Sequence, residues 1–169
     1  MRRHTAAATA LTAGVLLVSL TACQAEPPAR ALRYGGDAVD LCVPTPAGRQ
    51  LTYANDAVEN TSGDAITIEK VSLVGAHDAR AVDAYLAPIV DRTLIGTVPG
   101  WPPVDQASTA FDNKVALPAP LASRESANLV VHLDAGEGAT VQAVEVTYRQ
   151  RGHNVTARNS TSLSLKRTC

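Results

Sequence analysis

Ala65-Ile66-Thr67-Ile68-Glu69-Lys70-Val71-Ser72-Leu73-Val74 is the stretch that decides the fold class. Ile66 and Ile68 fall on one parity, Val71 and Leu73 on the other. A strand repeats every two residues, so one extra residue near Glu69-Lys70 keeps all four apolar side chains facing inward, as a β-bulge does. Asn60-Thr61-Ser62-Gly63-Asp64 comes just before it. That is turn chemistry, because Asn and Asp side chains bond nearby backbone and Gly tolerates positive φ.

The same period of two extends both ways. Downstream, Leu129, Val131 and Leu133 alternate with Asn128, Val130 and His132, which predicts a strand. Val141–Gln150 and His153–Asn159 flank Arg151-Gly152 and predict a hairpin with a tight turn. Leu163 and Leu165 alternate with Ser162, Ser164 and Lys166 in a last strand. Upstream, Leu51–Glu59 reads as one strand, and Val39, Leu41 and Val43 as a first strand stopped by Pro44-Thr45-Pro46-Ala47-Gly48. Ala81–Ile89 fits a strand better than a short helix, because Pro88 and the β-rich surroundings oppose a helix. Thr93–Val98 adds a further short strand. The sum is an all-β, antiparallel sandwich of about seven to nine strands occupying residues 37–169. Pro99–Ser126 breaks the period, and it holds Gly100-Trp101-Pro102-Pro103, Leu117-Pro118-Ala119-Pro120 and the chain's one Trp and one Phe. Connections that long inside a domain are often functional.

The Asn-rich turn followed by Ile-Thr-Ile-x-x-Val-x-Leu resembles the small β-sandwich domains of secreted bacterial lipoproteins, built in the manner of immunoglobulin-like domains. The usual Trp between two core cysteines is not reproduced, so the likeness is architectural and brings no catalytic residue with it. The start of the chain carries a second resemblance. Arg2, Arg3 and His4 form a basic head, Ala6–Leu20 an apolar run, and Leu20-Thr21-Ala22-Cys23 is similar to the lipobox of a bacterial lipoprotein signal. An uncleaved membrane span is disfavoured, since the run of about 15 residues falls short of the roughly 20 needed. The resemblance implies that residues 1–22 are removed as a signal peptide and that the Cys23 thiol is diacylated. Two chains make a stable anchor where one is marginal. Residues 23–36, with Glu26-Pro27-Pro28 and Gly35-Gly36, then read as a lipid-anchored flexible tether, of which the 13 residues Gln24–Gly36 reach at most about 45 Å. The expected place is the extracytoplasmic face of the cell membrane. The Ala- and Arg-rich, Lys-poor usage resembles that of a high-GC actinobacterium.

Removing residues 1–22 leaves 147 of the 169 residues and takes away Arg2 and Arg3, so the net charge moves from −1 to −3. A mildly acidic domain with scattered charge excludes nucleic acid as the expected partner. Aromatic residues are only 4% of the chain, so the core must be built from Val, Leu, Ile and Ala. Two cysteines remain, Cys42 and Cys169, and outside the cell they are expected to form a disulfide. Closing nearly the whole domain, it would contribute at most about 5 kcal/mol and bring the first and last strands within about 7 Å. A metal or redox pair would normally show Cys-x-x-Cys spacing, which is lacking.

Chemistry is sparse. His77-Asp78, His132-x-Asp134 and His153 are the residues from which an extracytoplasmic metal carrier would have to be built. His132 lies on the polar parity and His153 beside a turn, so both read as surface positions. Gly-x-Ser-x-Gly, Ser-x-x-Lys and His-Glu-x-x-His do not occur, Gly35-Gly36 reads as tether and Gly136-Glu137-Gly138 as a turn between strands. No catalytic residue, metal ligand or cofactor is therefore assigned. Asn60-Thr61-Ser62, Asn154-Val155-Thr156 and Asn159-Ser160-Thr161 match a glycosylation sequon that a bacterial export route leaves unused, so they count as turn and strand residues. Trp101, Pro102, Pro103 and Phe111 remain as candidate partner-binding residues. Either they form an exposed patch that docks an envelope protein or glycan, or Trp101 plugs the open end of the sandwich. The expected function is a lipid-anchored binding or accessory module of the cell envelope. The alternatives are the metal carrier and an enzyme whose site is assembled from residues distant in sequence.

Overall fold

The structure, a computed structural model, describes residues 30–44, 49–104 and 106–169. The lipobox and Cys23 lie outside the described residues. In chain order the first elements are β1 (Leu32–Tyr34), β2 (Val39–Pro44), β3 (Gln50–Tyr53), β4 (Ala57–Asn60), β5 (Ile66–Val74) and β6 (His77–Pro88). Then follow β7 (Val98–Pro99), α1 (Gln106–Phe111), β8 (Val115–Ala116), β9 (Ala119–Leu121) and β10 (Ser126–Val141). The last are β11 (Ala143–Gln150), β12 (His153–Arg158) and β13 (Thr161–Lys166). Among the described residues nine strands have four residues or more, and they form two packed sheets, an all-β sandwich.

The large sheet is built on β10. One edge of β10 is followed by β6, from Ala127↔Pro88 to Ala135↔Ala79, and the other by β4, β3 and then β13. The second sheet runs β12-β11-β5-β9. Between them lies the main core, in which Leu129, Val131, Leu133 and Ala135 of β10 pack with Ile68, Val144, Val146 and Tyr148, all essentially buried. Burying each such Leu or Val contributes about 1.5–3 kcal/mol. The bulge stands where the spacing puts it. Tyr148 pairs with Ile68 and Thr147 with Lys70, leaving Glu69 as the extra residue, so that Val71 and Leu73 also pack against the core. Asn60 Oδ1 accepts from the Ser62 N–H at 3.0 Å, the local bond expected of that turn.

Cys42 and Cys169 are bonded, with Cα atoms 5.8 Å apart. Their strands are neighbours as required, but β2 and β13 run parallel, from Thr161↔Val39 to Lys166↔Pro44, so the sandwich is not wholly antiparallel. Other expectations also need correction. The fold begins before Asp37: β1 lies in the stretch read as tether, paired with β4 and burying Ala31, Leu32 and Tyr34. Leu51–Glu59 is broken at Ala54-Asn55-Asp56 into β3 and β4, both on the same edge of β10. Thr93–Val98 is irregular, with one bridge from Thr93 to Val90 before the two-residue β7. Gly136-Glu137-Gly138 lies inside β10, where the register with β6 jumps between Ala135 and Thr140.

Two of the sequon asparagines are structural. Asn60 is fully buried, and its amide donates to the backbone oxygens of Asp64, Leu121 and Ala122. Asn159 accepts from the Val144 N–H at 2.7 Å and donates to Tyr53 Oη at 2.7 Å and Asp56 Oδ2 at 2.6 Å. Burial, reinforced by Asp56, pushes the Tyr53 phenol well above the usual range, and burial does the same to Tyr34.

Candidate functional site

The outer face of the large sheet carries a second apolar cluster. Val130, Ala87 and Ala54 supply its floor, and Ile95, Ala110 and Phe111 close over it, with Tyr85 and Trp101 packed at its border. β10 is therefore buried on both faces from Ala127 to Leu133. The covering segment is pinned to the sheet through β3: the Gly100 N–H donates to Gln50 O at 2.7 Å, and Thr52 Oγ1 donates to Gly100 O at 2.9 Å. Gly100 has φ +95°, a conformation that side chains disfavour, and it hands Trp101 onto the sheet. From the other end, the short helix α1 turns Ala110 and Phe111 inward.

The aromatic rings interlock. Trp101 lies parallel to the His132 imidazole, centroids 4.3 Å apart, and meets Phe111 edge-on at 5.0 Å. Tyr85 stacks on Trp101 at 5.7 Å and meets Phe111 edge-on at 6.0 Å. The Lys114 ammonium stands 4.1 Å from the Phe111 centroid. Aromatic pairs of this kind add about 0.5–1.5 kcal/mol each beyond the area they bury.

His132, expected at the surface, is only 8% exposed. It was misread because the polar parity of β10 is covered by a segment distant in sequence. Gln50 Oε1 accepts from its Nε2–H, while buried Nδ1 has no hydrogen-bond partner and lies 3.8 Å from Asp83 Oδ2. His77 pairs with Thr140, six residues along β6 from the Asp83 that pairs with His132, about 20 Å of strand away. His153 is on the second sheet. Among the described residues no three His, Cys, Asp or Glu side chains gather as a metal site.

The exposed-patch expectation is also corrected in part. Phe111 and Pro103 are buried, Trp101 is half-buried, and Pro102 is exposed beside Val104, which is 65% exposed. Trp101 does cover apolar surface, but on the face of the large sheet rather than at the open end of the sandwich. Tyr85, Gln50 and His132 complete the cluster; Tyr85 and Gln50 were not singled out by sequence reasoning, and His132 was, but as a surface position. The one signal available was Tyr85 alternating with Ala87 in a strand whose other parity, Ala84 and Leu86, is also apolar.

Beyond Trp101 the same face becomes ionic. Arg49 donates from Nε to Asp134 Oδ1 at 2.8 Å and from Nη2 to Asp78 Oδ1 at 3.0 Å, and Arg80 Nη2 reaches Asp134 Oδ2 at 2.6 Å. The Arg49 hydrogen bonds hold the Asp78 and Asp134 carboxyls below the usual range, with Arg80 adding to the effect on Asp134. Gly136 sits directly beneath: a Cβ there would overlap Asp78 Oδ2 and Arg49 Nη1.

No protein-family model matches the chain, and no curated protein matches it. Among solved structures it is similar to the ASH/PapD-like domain (PapD-like domain 7) of human CEP192, at 12% identity over 93% of this chain and 97% of that one, with a TM-score of 0.39. The class assigned here, a two-sheet all-β sandwich, rests on the strand pairing itself. Among the described residues no helix is long and apolar enough to cross a membrane.

Proposed function

We propose that the protein is a lipid-anchored module of the cell envelope, held at the extracytoplasmic face through Cys23, which docks a partner protein on the rim of the aromatic cluster. It acts by binding rather than by catalysis. The observation that supports the contact surface is Trp101, half-buried on the His132 ring and bordered by exposed Pro102 and Val104. A rigid aromatic with an apolar rim is the composition that carries interface energy, because the ring is already ordered before binding.

Site-specific photocrosslinking in intact cells tests it, with the crosslinker at residue 104 and, as control, at exposed Thr140. A defined envelope protein captured from 104, not from 140, and lost in Trp101→Ala is the expected outcome. Capture of the same species from both positions, or of none from a folded protein, contradicts the docking surface. The anchor is read separately, from the intact mass of the membrane-extracted protein, which should carry two acyl chains on a chain starting at Cys23 and lose them in Cys23→Ala.

A further inference from the structure

The arginines at the two ends of the sandwich differ. At the end formed by Gly136–Gly138 and the Gly75 turn, Arg49, Arg80 and Arg167 are all ion-paired, to Asp78 and Asp134, to Asp134, and to Glu137. At the opposite end, where the chain enters the fold, three loops and the entering segment come together. Ala31 O accepts from the Thr61 N–H at 2.7 Å, Asn60 N donates to Glu125 O at 2.9 Å, and Ser123 Oγ donates to Ser62 O at 2.9 Å. Pro88 pairs with Ala127, so the Val90–Thr93 turn, closed by the Thr93 N–H on Val90 O at 2.9 Å, projects from this same end.

Arg30 stands exposed at the entering segment, Arg92 at the tip of the Val90–Thr93 turn and Arg124 in the loop before β10. Among the described residues none of the three pairs with a carboxylate. Arg92 and Arg124 have φ of +60° and +62°, a region where Gly or Asn is the easy choice and a long side chain is held at some cost. Around them Glu59 is tied to Arg33, Asp64 to Arg151, and Glu125 accepts the Ala122 N–H at 2.7 Å. Asp91 is the remaining exposed carboxylate of the turn. Val90 and Leu94 flank it at 38% and 40% exposure.

From these observations we infer that this end of the sandwich docks on an anionic phospholipid surface, Arg30, Arg92 and Arg124 meeting headgroup phosphates and Val90 and Leu94 entering the interface. The choice of occupant rests on the proposed anchoring. Because β1 starts at Leu32, Ala31 lies only eight residue steps beyond Cys23, a span of at most about 28 Å, less than the length of the sandwich along β10. A bilayer holding the acyl chains thus lies closest to the end where the chain enters. Guanidinium forks match phosphate geometry, and each basic residue near an anionic surface is worth roughly fivefold in binding.

Among the described residues all strands and both apolar clusters lie between Ala31 and Lys166, so the unlipidated chain Gln24–Cys169 contains them all and serves as the test protein. It is sedimented at low salt with vesicles of equal phosphatidylglycerol and phosphatidylcholine, and with phosphatidylcholine alone. Binding to the anionic vesicles only is expected, reduced at least about tenfold in Arg30→Glu/Arg92→Glu/Arg124→Glu. The matched control Arg80→Glu/Lys166→Glu/Arg167→Glu, at the opposite end, should lose less than about twofold by the same reasoning. Equal losses in the two triple variants, or no preference for anionic vesicles, overturns the inference. Failure of the anchor is distinguishable, since it is read from the intact mass of the membrane-extracted protein and this chain carries no lipid.

Discussion

His132 divides the outer face of the large sheet into two regions built on the same three strands. On one side Val130 and Tyr85 lie under Phe111 and Trp101, dry and aromatic. On the other, two residues along β10, Asp134 meets Arg49 and Arg80 in water. The difference is a cover. Where Ile95, Trp101 and Phe111 cover it, polar side chains on β10 must find partners: Asn128 accepts from the Ile95 N–H at 3.2 Å and donates to Pro88 O at 2.9 Å, while His132 uses Gln50. Where nothing folds back, charges pair in solvent and contribute little.

The covered side should therefore be the costly one to damage. Phe111→Ala removes a ring in contact with Trp101, Tyr85 and the Lys114 cation, and should cost about 3 kcal/mol in denaturant unfolding, with Trp101 emission shifting to the red. A cost below about 1 kcal/mol would mean that the cover contributes little packing. Gly136→Ala forces Asp78 and Arg49 apart across the ionic side and should cost about 1 kcal/mol, non-additive with Arg49→Met because both remove the same contact.

Arg49→Met should lower the melting temperature least, and in a pH-dependent way. Arg49 depresses the Asp78 and Asp134 carboxyls, so its contribution is fully present above about pH 4, where carboxylates in the unfolded chain are ionised, and is lost as pH falls through the lower folded values. Melting curves of both proteins from neutral pH into acid check this. The gap between them should close on acidification, and a constant gap would contradict the pairing.

The division also explains what the sequence made legible. The inner faces obey a period of two wherever one side is core and the other solvent, so Leu129-x-Val131-x-Leu133, Leu163-x-Leu165 and the bulge at Glu69 are readable residue by residue. Cys42 and Cys169 placed the end strands together, though not their parallel direction, which depends on how β1 and the Gly35-Gly36 turn lead into β2. β1 was missed because three residues after a proline-rich stretch are too few to show a period. The aromatic cluster was missed because its members come from β3, β6, β10, the loop at Trp101 and α1. No local pattern says that a polar parity will be covered by chain from elsewhere, and His132 looks like a surface residue until Trp101 lies on it.

Trp101 is the only tryptophan, so its fluorescence reports on the cover without interference. Emission and acrylamide quenching in the folded and unfolded full-length protein test the central claim most directly. A ring stacked on His132 and Tyr85 should emit to the blue of the unfolded chain and be partly shielded from quencher. Folded-state emission and quenching equal to those of the unfolded chain would mean that Trp101 is not seated on the sheet, and the docking surface built around it would fall with that result.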